Sequence, residues 1–163
     1  TPRHVRRVDV TSAREMHAAV MAAAASSDVF VATAAVADWR VDNAAAEKIK
    51  KSPGRAVPVF ALVENPDILA SVAALPRPPY CIGFAAETGD VVTHARAKLE
   101  KKKVPLVVGN LGPATFGQDD NAIVLVDADG ARELPRADKL VLARQLVAEI
   151  ASRLAAPSSA APD

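Results

Sequence analysis

Short runs of consecutive apolar residues alternate along this chain with stretches whose apolar residues recur every three or four, and that alternation leaves few folds open. The runs are Asp28 to Ala35, Val57 to Val63, Tyr80 to Ala85, Val104 to Val108 and Ala122 to Val126. Most are apolar at successive positions, so both faces of each strand expect cover, as in parallel sheets with helices on either side. Between them, Ser12-x-x-Glu15 is a capping box ahead of Met16, Ala19, Val20 and Ala23, which predicts a helix from about Ser12 to Ser26. Asn65-Pro66-Asp67 reads as an N-cap, a first helical position and an acid suited to the helix dipole, opening a helix through Leu75. A helix over Thr88 to Lys103 places Val92, Ala95 and Leu99 inward, and Ala143, Val147, Ile150 and Leu154 mark a last one. Ser52-Pro53-Gly54 and Asp127-Ala-Asp-Gly130 are turn chemistry. The expected fold is α/β, doubly wound, with a mostly parallel Rossmann-like sheet and an inserted strand segment at Val57 to Val63.

With 163 residues, half of them hydrophobic, the chain suffices for one core. Twenty basic against nineteen acidic residues leave a formal charge of +1, so no overall field points to nucleic acid or a membrane surface. No apolar run is long enough to span a bilayer and no signal sequence is visible. The single cysteine, Cys81, sits in an apolar run, which excludes an internal disulfide, suits a reducing cytoplasm and reads as a small core residue. His4, His17 and His94 are dispersed, without metal-site spacing.

The chemistry concentrates at the end of the first apolar run. Small residues, Ala34-Ala-Val-Ala, lead to Asp38-Trp39-Arg40, and Glu47-Lys48-Ile-Lys-Lys51 follows. Open α/β sheets hold ligands at the carboxyl ends of their strands. Small side chains admit a ring or phosphate to the backbone, an acid meets a hydroxyl or a metal, and lysines meet anionic oxygens. The implied ligand is anionic and nucleotide-like. Plainer readings stay open: Asp38 begins a turn, Asp67 decorates a helix start, Lys98 to Lys103 form a solvated helix end, and Trp39 belongs to core, interface or pocket.

Six motifs in order, Ala34-Ala-Val-Ala-Asp38, Glu47-Lys48-Ile-Lys-Lys51, Asn65-Pro66-Asp67-Ile68-Leu69, Gly83-Phe84-Ala-Ala-Glu-Thr88, Ala95-x-x-Lys98-x-x-x-Lys102 and Phe116-Gly-x-Asp-Asp-Asn121, resemble the phosphopantothenoylcysteine synthetase domain of bacterial coenzyme A biosynthesis. The resemblance runs from about Arg6 to Leu154. It implies a ligase that uses CTP and Mg²⁺ to join 4′-phosphopantothenate to L-cysteine through an acyl-cytidylate. FMN serves only the decarboxylase domain that usually precedes this one in a bifunctional chain. Lys48 matches the catalytic lysine, and Lys50 to Arg55 resemble a flap closing over the intermediate. Ala32, Thr33, Ala34, Asp38, Pro66, Asp67, Ile68, Leu69, Phe84, Lys98 and Lys102 match nucleotide-site positions, with Ala35 among the small residues there. Phe84, taken as a strand end, would pack on the cytosine ring. The motifs are expected to converge on one crevice; the metal ligands are not identified.

Family members open with a strand, a Gly/Ser-rich phosphate loop and a helix, which have no counterpart ahead of Thr1, so the resemblance implies an N-terminally truncated synthetase domain over residues 1–155 that turns over poorly alone. An exposed sheet edge and a disordered tail over residues 156–163 are expected with it. The resemblance also implies a homodimer joined through Asp38 to Val63. Two other classes compete. A nicotinamide-dependent oxidoreductase would share the sheet, though no Gly-x-Gly-x-x-Gly precedes the first helix. A noncatalytic assembly module would share everything but turnover.

Overall fold

The computed structural model describes residues 1–45, 47, 49–50, 57–112 and 117–155, which divide into two compact units, 1–81 and 82–163. The first unit holds helix α1 (Ala13–Ala24), strands β1 (Val29–Ala32), β2 (Trp39–Val41) and β3 (Leu62–Glu64), and helix α2 (Ile68–Ala73). Strand β4 (Tyr80–Glu87) starts there and continues into the second unit, which adds helix α3 (Val91–Lys102), strands β5 (Leu106–Leu111), β6 (Asp120–Val126) and β7 (Ala131–Asp138), and helix α4 (Lys139–Ala155). The class is the expected mixed α/β. No described helix is long and apolar enough to cross a membrane.

In the first unit, α1 packs against α2, and His17 Nε2 lies 3.2 Å from Ser71 Oγ. Ser71 Oγ donates to the Asp67 carbonyl at 2.7 Å, so its oxygen accepts from His17. Ser12 caps α1 as expected, accepting from the Glu15 N–H at 3.2 Å. The return half of the capping box differs: the Glu15 carboxylate accepts from the N–H and hydroxyl of Thr11, one residue further back than Ser12. Those bonds hold its pKa below the ordinary value, the Thr11 backbone bond foremost. At the other end of the unit, the Tyr80 N–H at the start of β4 donates to the carbonyl of Asp28, the residue before β1, at 2.9 Å.

The inserted segment is shorter as a strand than its apolar run suggests. Only Leu62–Glu64 joins a sheet, pairing antiparallel with β2 in the register Trp39↔Glu64, Arg40↔Val63 and Val41↔Leu62. Residues 57–61 lie outside strands, with Val57 84% and Val59 95% exposed. Pro58 has no N–H to donate, which weakens any ladder there. The helix after it begins later too. Asp67, not Asn65, is the N-cap of α2, accepting from the Ala70 N–H at 3.0 Å, because the Asn65 amide is engaged elsewhere.

In the second unit, β4 to β7 lie side by side in chain order. β4 and β5 are parallel, from Ile82↔Leu106 to Glu87↔Leu111, while β5–β6 and β6–β7 are antiparallel. An antiparallel extension on parallel central strands is common in α/β sheets. Ile82, Leu106, Val107, Val108, Leu125 and Val126 form the dry centre. Gly109 is where α3 comes closest: a Cβ there would stand 2.5 Å from Val91 Cγ1 and 3.0 Å from Val124 Cγ1.

Several strands and helical faces depart from the periodic reading. β7 is a strand that apolar pattern does not announce, since Leu134 is its one buried residue and it contains Pro135. It forms because the Asp127 turn, whose carboxylate accepts from the N–H groups of Asp129 and Gly130, folds it back onto β6. β4 and β5 run on to Glu87 and Leu111 rather than stopping at Ala85 and Val108. In α4 the buried row is Leu142, Leu146 and Ile150, leaving Ala143, Val147 and Leu154 exposed. In α3 Ala95 is buried but Val92 is exposed, and Val91 faces Gly109 instead.

Candidate functional site

In the first unit the small residues that follow β1 pass directly into the hairpin made by β2 and β3. Ala32 ends β1, Thr33 to Ala35 are exposed, and Asp38 stands with an exposed carboxylate immediately before β2. Ala34 to Ala37, Arg40 and Asn65 line a cavity of about 480 Å³ together with the start of α1. Arg40 Nη1 donates to the Glu64 carbonyl, holding the guanidinium across the hairpin. The Asn65 N–H donates to the Asp38 carbonyl at 2.7 Å and Asn65 Nδ2 to the Ala37 carbonyl at 2.8 Å. The Ala34–Asp38 loop and the Pro66–Leu69 stretch are therefore brought together.

Within that second stretch the roles separate. Asp67 uses its carboxylate as a helix cap. Ile68 and Leu69 are buried, so their side chains belong to the core. Lys48 lies outside the described residues, as do Lys51 to Arg55 of the expected flap, Phe116 of the last motif and the tail over 156–163.

In the second unit Lys98 and Phe84 meet. Lys98 Nζ donates to the Phe84 carbonyl at 2.5 Å, which lays the lysine along the strand from one turn inside α3. Lys102, four residues on, shares that helical face and is half-buried. Phe84 is not at a strand end as expected. It lies within β4, opposite Val108, because the ladder with β5 continues three residues beyond it to Glu87. Asp90 caps α3 from the left-handed region at φ 39°, accepting from the Thr93 N–H at 3.3 Å.

The remaining candidates have simple settings. Cys81 is 2% exposed, and burial pushes its thiol pKa up, so it is an inert core residue. Trp39 is exposed on β2, which removes the core reading. Among the described residues no cluster of three or more His, Cys, Asp or Glu is placed to hold a metal. Mg²⁺ at nucleotide sites is held by one or two carboxylates and the substrate phosphates, and exposed Asp38, the residue after Ala37 of the cavity lining, offers one such carboxylate.

Residues sequence reasoning missed are Asn65 and Arg40. Both sit inside or beside quoted motifs, but their spacing carries no signal of the cavity they line, because its walls come from stretches far apart in sequence, Val10 to Arg14, Met16, Ala34 to Ala37, Arg40 and Asn65.

Residues 1–154 match the model of the DNA/pantothenate metabolism flavoprotein C-terminal domain family. The chain is 44% identical over 154 residues to the coenzyme A biosynthesis bifunctional protein CoaBC of Vibrio vulnificus (strain CMCP6), covering 92% of this chain and 38% of that protein. It is 43% identical over 158 residues to the CoaBC of Escherichia coli (strain K12), covering 94% and 39%. Among solved structures, the crystal structure of the C-terminal domain of CoaBC superposes with a TM-score of 0.73 at 32% identity, covering 94% of this chain and 68% of that one. The chain thus spans about two fifths of the length of the curated relatives it matches.

Proposed function

Since the chain belongs to the family of DNA/pantothenate metabolism flavoprotein C-terminal domains, we propose that it is the ligase domain of a coenzyme A biosynthesis enzyme, joining 4′-phosphopantothenate to L-cysteine with CTP as co-substrate. The observation that carries this is the 44% identity to one contiguous part of a bifunctional coenzyme A biosynthesis protein, over 92% of this chain. The two bonds from Asn65 to the Ala37 and Asp38 carbonyls, beside a cavity lined by Ala34 to Ala37 and Asn65, support it from the geometry.

The chemistry follows from the residue types. A carboxylate at neutral pH is a poor electrophile, and its attack on the nucleotide α-phosphate with loss of pyrophosphate turns one carboxylate oxygen into part of a good leaving group. The cysteine amine then displaces CMP and forms the amide. Negative charge grows on phosphate oxygens in the first step and on the acyl oxygen in the second, so positioned cations accelerate both. In this proposal Lys48 is the catalytic cation, and Lys98 and Lys102 bind phosphates. Asp38 meets the ribose or Mg²⁺, which would neutralise phosphate charge when bound. The alanines from Ala32 to Ala35 leave room for the nucleotide, the Pro66–Leu69 backbone lines it, and Phe84 supplies apolar surface.

The partner in this reading is a second copy of the chain. Trp39, Val41, Val59, Phe60 and Leu62 expose apolar surface on and beside the β2–β3 hairpin, more than an isolated hairpin accounts for. In the longer protein a decarboxylase domain precedes.

Titration of the purified chain with CTP·Mg²⁺ and, separately, NADH tests the nucleotide class. Saturable CTP binding without NADH binding is expected, and NADH preference would refute it in favour of an oxidoreductase. In the full-length protein Lys48→Gln should abolish phosphopantothenate-dependent pyrophosphate release with an unchanged circular dichroism spectrum. Undiminished release would leave a noncatalytic assembly role for this segment.

A further inference from the structure

Asn65 caps no helix, yet it is the residue at which the two ligand stretches of the first unit join. Its N–H donates to the Asp38 carbonyl at 2.7 Å, extending the β2–β3 ladder one step past Trp39↔Glu64. The next residue, Pro66, has no N–H, so the backbone has no further donor to offer there. The side chain supplies it: Asn65 Nδ2 donates to the Ala37 carbonyl at 2.8 Å. One residue thus holds both carbonyls that lead into the Asp38 carboxylate. The other end of the amide, Oδ1, is sealed from solvent and has no hydrogen-bond partner among the described residues. A buried acceptor without a partner destabilises a fold, and an apolar side chain of the same shape would remove that penalty. The donor end is what only the amide provides. A carboxylate would fail twice, losing the donor and bringing an unpartnered charge against the Ala37 carbonyl.

Resting on the nucleotide reading above, we infer that Asn65 is a positioning residue, clamping the Ala34–Asp38 loop, whose residues Ala34 to Ala37 line the same cavity as Asn65, and so fixing where Asp38 stands for the ligand. Two measurements on the full-length protein separate the clamp from the nucleotide reading. In amide hydrogen exchange without ligand, peptides covering residues 33–41 should exchange about tenfold faster in Asn65→Ala, as loss of one hydrogen bond implies. Peptides from α1 and α2 should keep their wild-type rates, which shows that the first unit of the variant folds. Asn65→Ser, with a short donor, should recover part of the protection. Unchanged exchange over residues 33–41 overturns the clamp.

In steady-state assays, Asn65→Ala should raise KM for CTP about tenfold with a smaller change in kcat, and Asn65→Asp should raise it further. Faster loop exchange with an unaltered KM overturns the positioning role. A wild-type protein that ignores CTP defeats the nucleotide reading and the positioning role with it, while the clamp is still decided by the exchange data.

Discussion

Replacing Arg153 by Met should destabilise the second unit by about 2 kcal/mol. Arg153 Nη2 donates to Asp127 Oδ2 at 2.6 Å and its Nε donates to Glu149 Oε1 at 2.8 Å, while Arg132 also donates to Glu149. The three central side chains are only 25%, 18% and 23% exposed. A hydrogen bond to a charged group contributes roughly 1.5 to 3 kcal/mol. The bonds from Arg153 to Asp127 and Glu149 would give about twice that, but Asp127 keeps two backbone N–H donors and Glu149 keeps Arg132, so about half survives the substitution. For a chain of 163 residues that corresponds to a fall in Tm of about 4–8 °C.

The pH dependence gives an independent sign. Burial pushes the Asp127 carboxyl up, but Arg153 and the Gly130 and Asp129 N–H groups outweigh it and leave its pKa lowered. The Arg153 hydrogen bond foremost holds Glu149 down as well. Carboxylates with depressed folded pKa values stabilise the fold above their unfolded values and lose that contribution as pH falls through the folded ones. Urea denaturation at pH 7 and near pH 3 should therefore show a smaller acid loss in Arg153→Met than in the wild type. Arg7→Ala, removing an ion pair to Asp9 whose partners are 67% and 75% exposed, is the control and should stay within about 0.5 kcal/mol. An Arg153→Met variant indistinguishable from that control, or with undiminished acid loss, would refute the reasoning.

Gly109→Ala should cost about 1–3 kcal/mol in urea denaturation, because the added Cβ enters the space of Val91 Cγ1 and Val124 Cγ1; a smaller cost would mean α3 shifts freely on the sheet. Lys98→Met should weaken CTP binding about tenfold, roughly one charge-assisted bond, with an unchanged thermal melt; isothermal calorimetry with unaltered affinity would assign the lysine to the Phe84 carbonyl alone. Val59→Asp, at a residue 95% exposed, should convert a dimer to monomers by light scattering without loss of secondary structure. A wild-type chain already monomeric at micromolar concentration would remove the dimer proposal.

Much of the fold was legible because local chemistry decided it. Ser12 capped α1, the Asp127–Gly130 turn formed, and the apolar runs around Ile82, Val107 and Leu125 became the buried strands of the second unit. What misled were segments whose conformation is set by a neighbour. Val57 to Phe60 is apolar and β-prone but lies outside the strands of the described residues, whereas Ala131 to Asp138, polar and interrupted by Pro135, becomes a strand by pairing with β6. β-propensity expresses a fit to a pleated, half-buried surface, so the partner outweighs the composition. In α4, two adjacent rows were apolar, and packing on β6 and β7 chose Leu142, Leu146 and Ile150.

The candidate site divides along the same line. Residue types and their order were enough to mark the family, because its motifs stand one after another along the chain. Tertiary structure alone decided that Ile68 and Leu69 are core, that Phe84 lies within a strand, that Lys98 rests on its carbonyl, and that Asn65 holds Ala37 and Asp38. The reason is distance along the chain: Asn65 and Ala37 are 28 residues apart, and the hydrogen bond joining them exists only once β2 and β3 have paired.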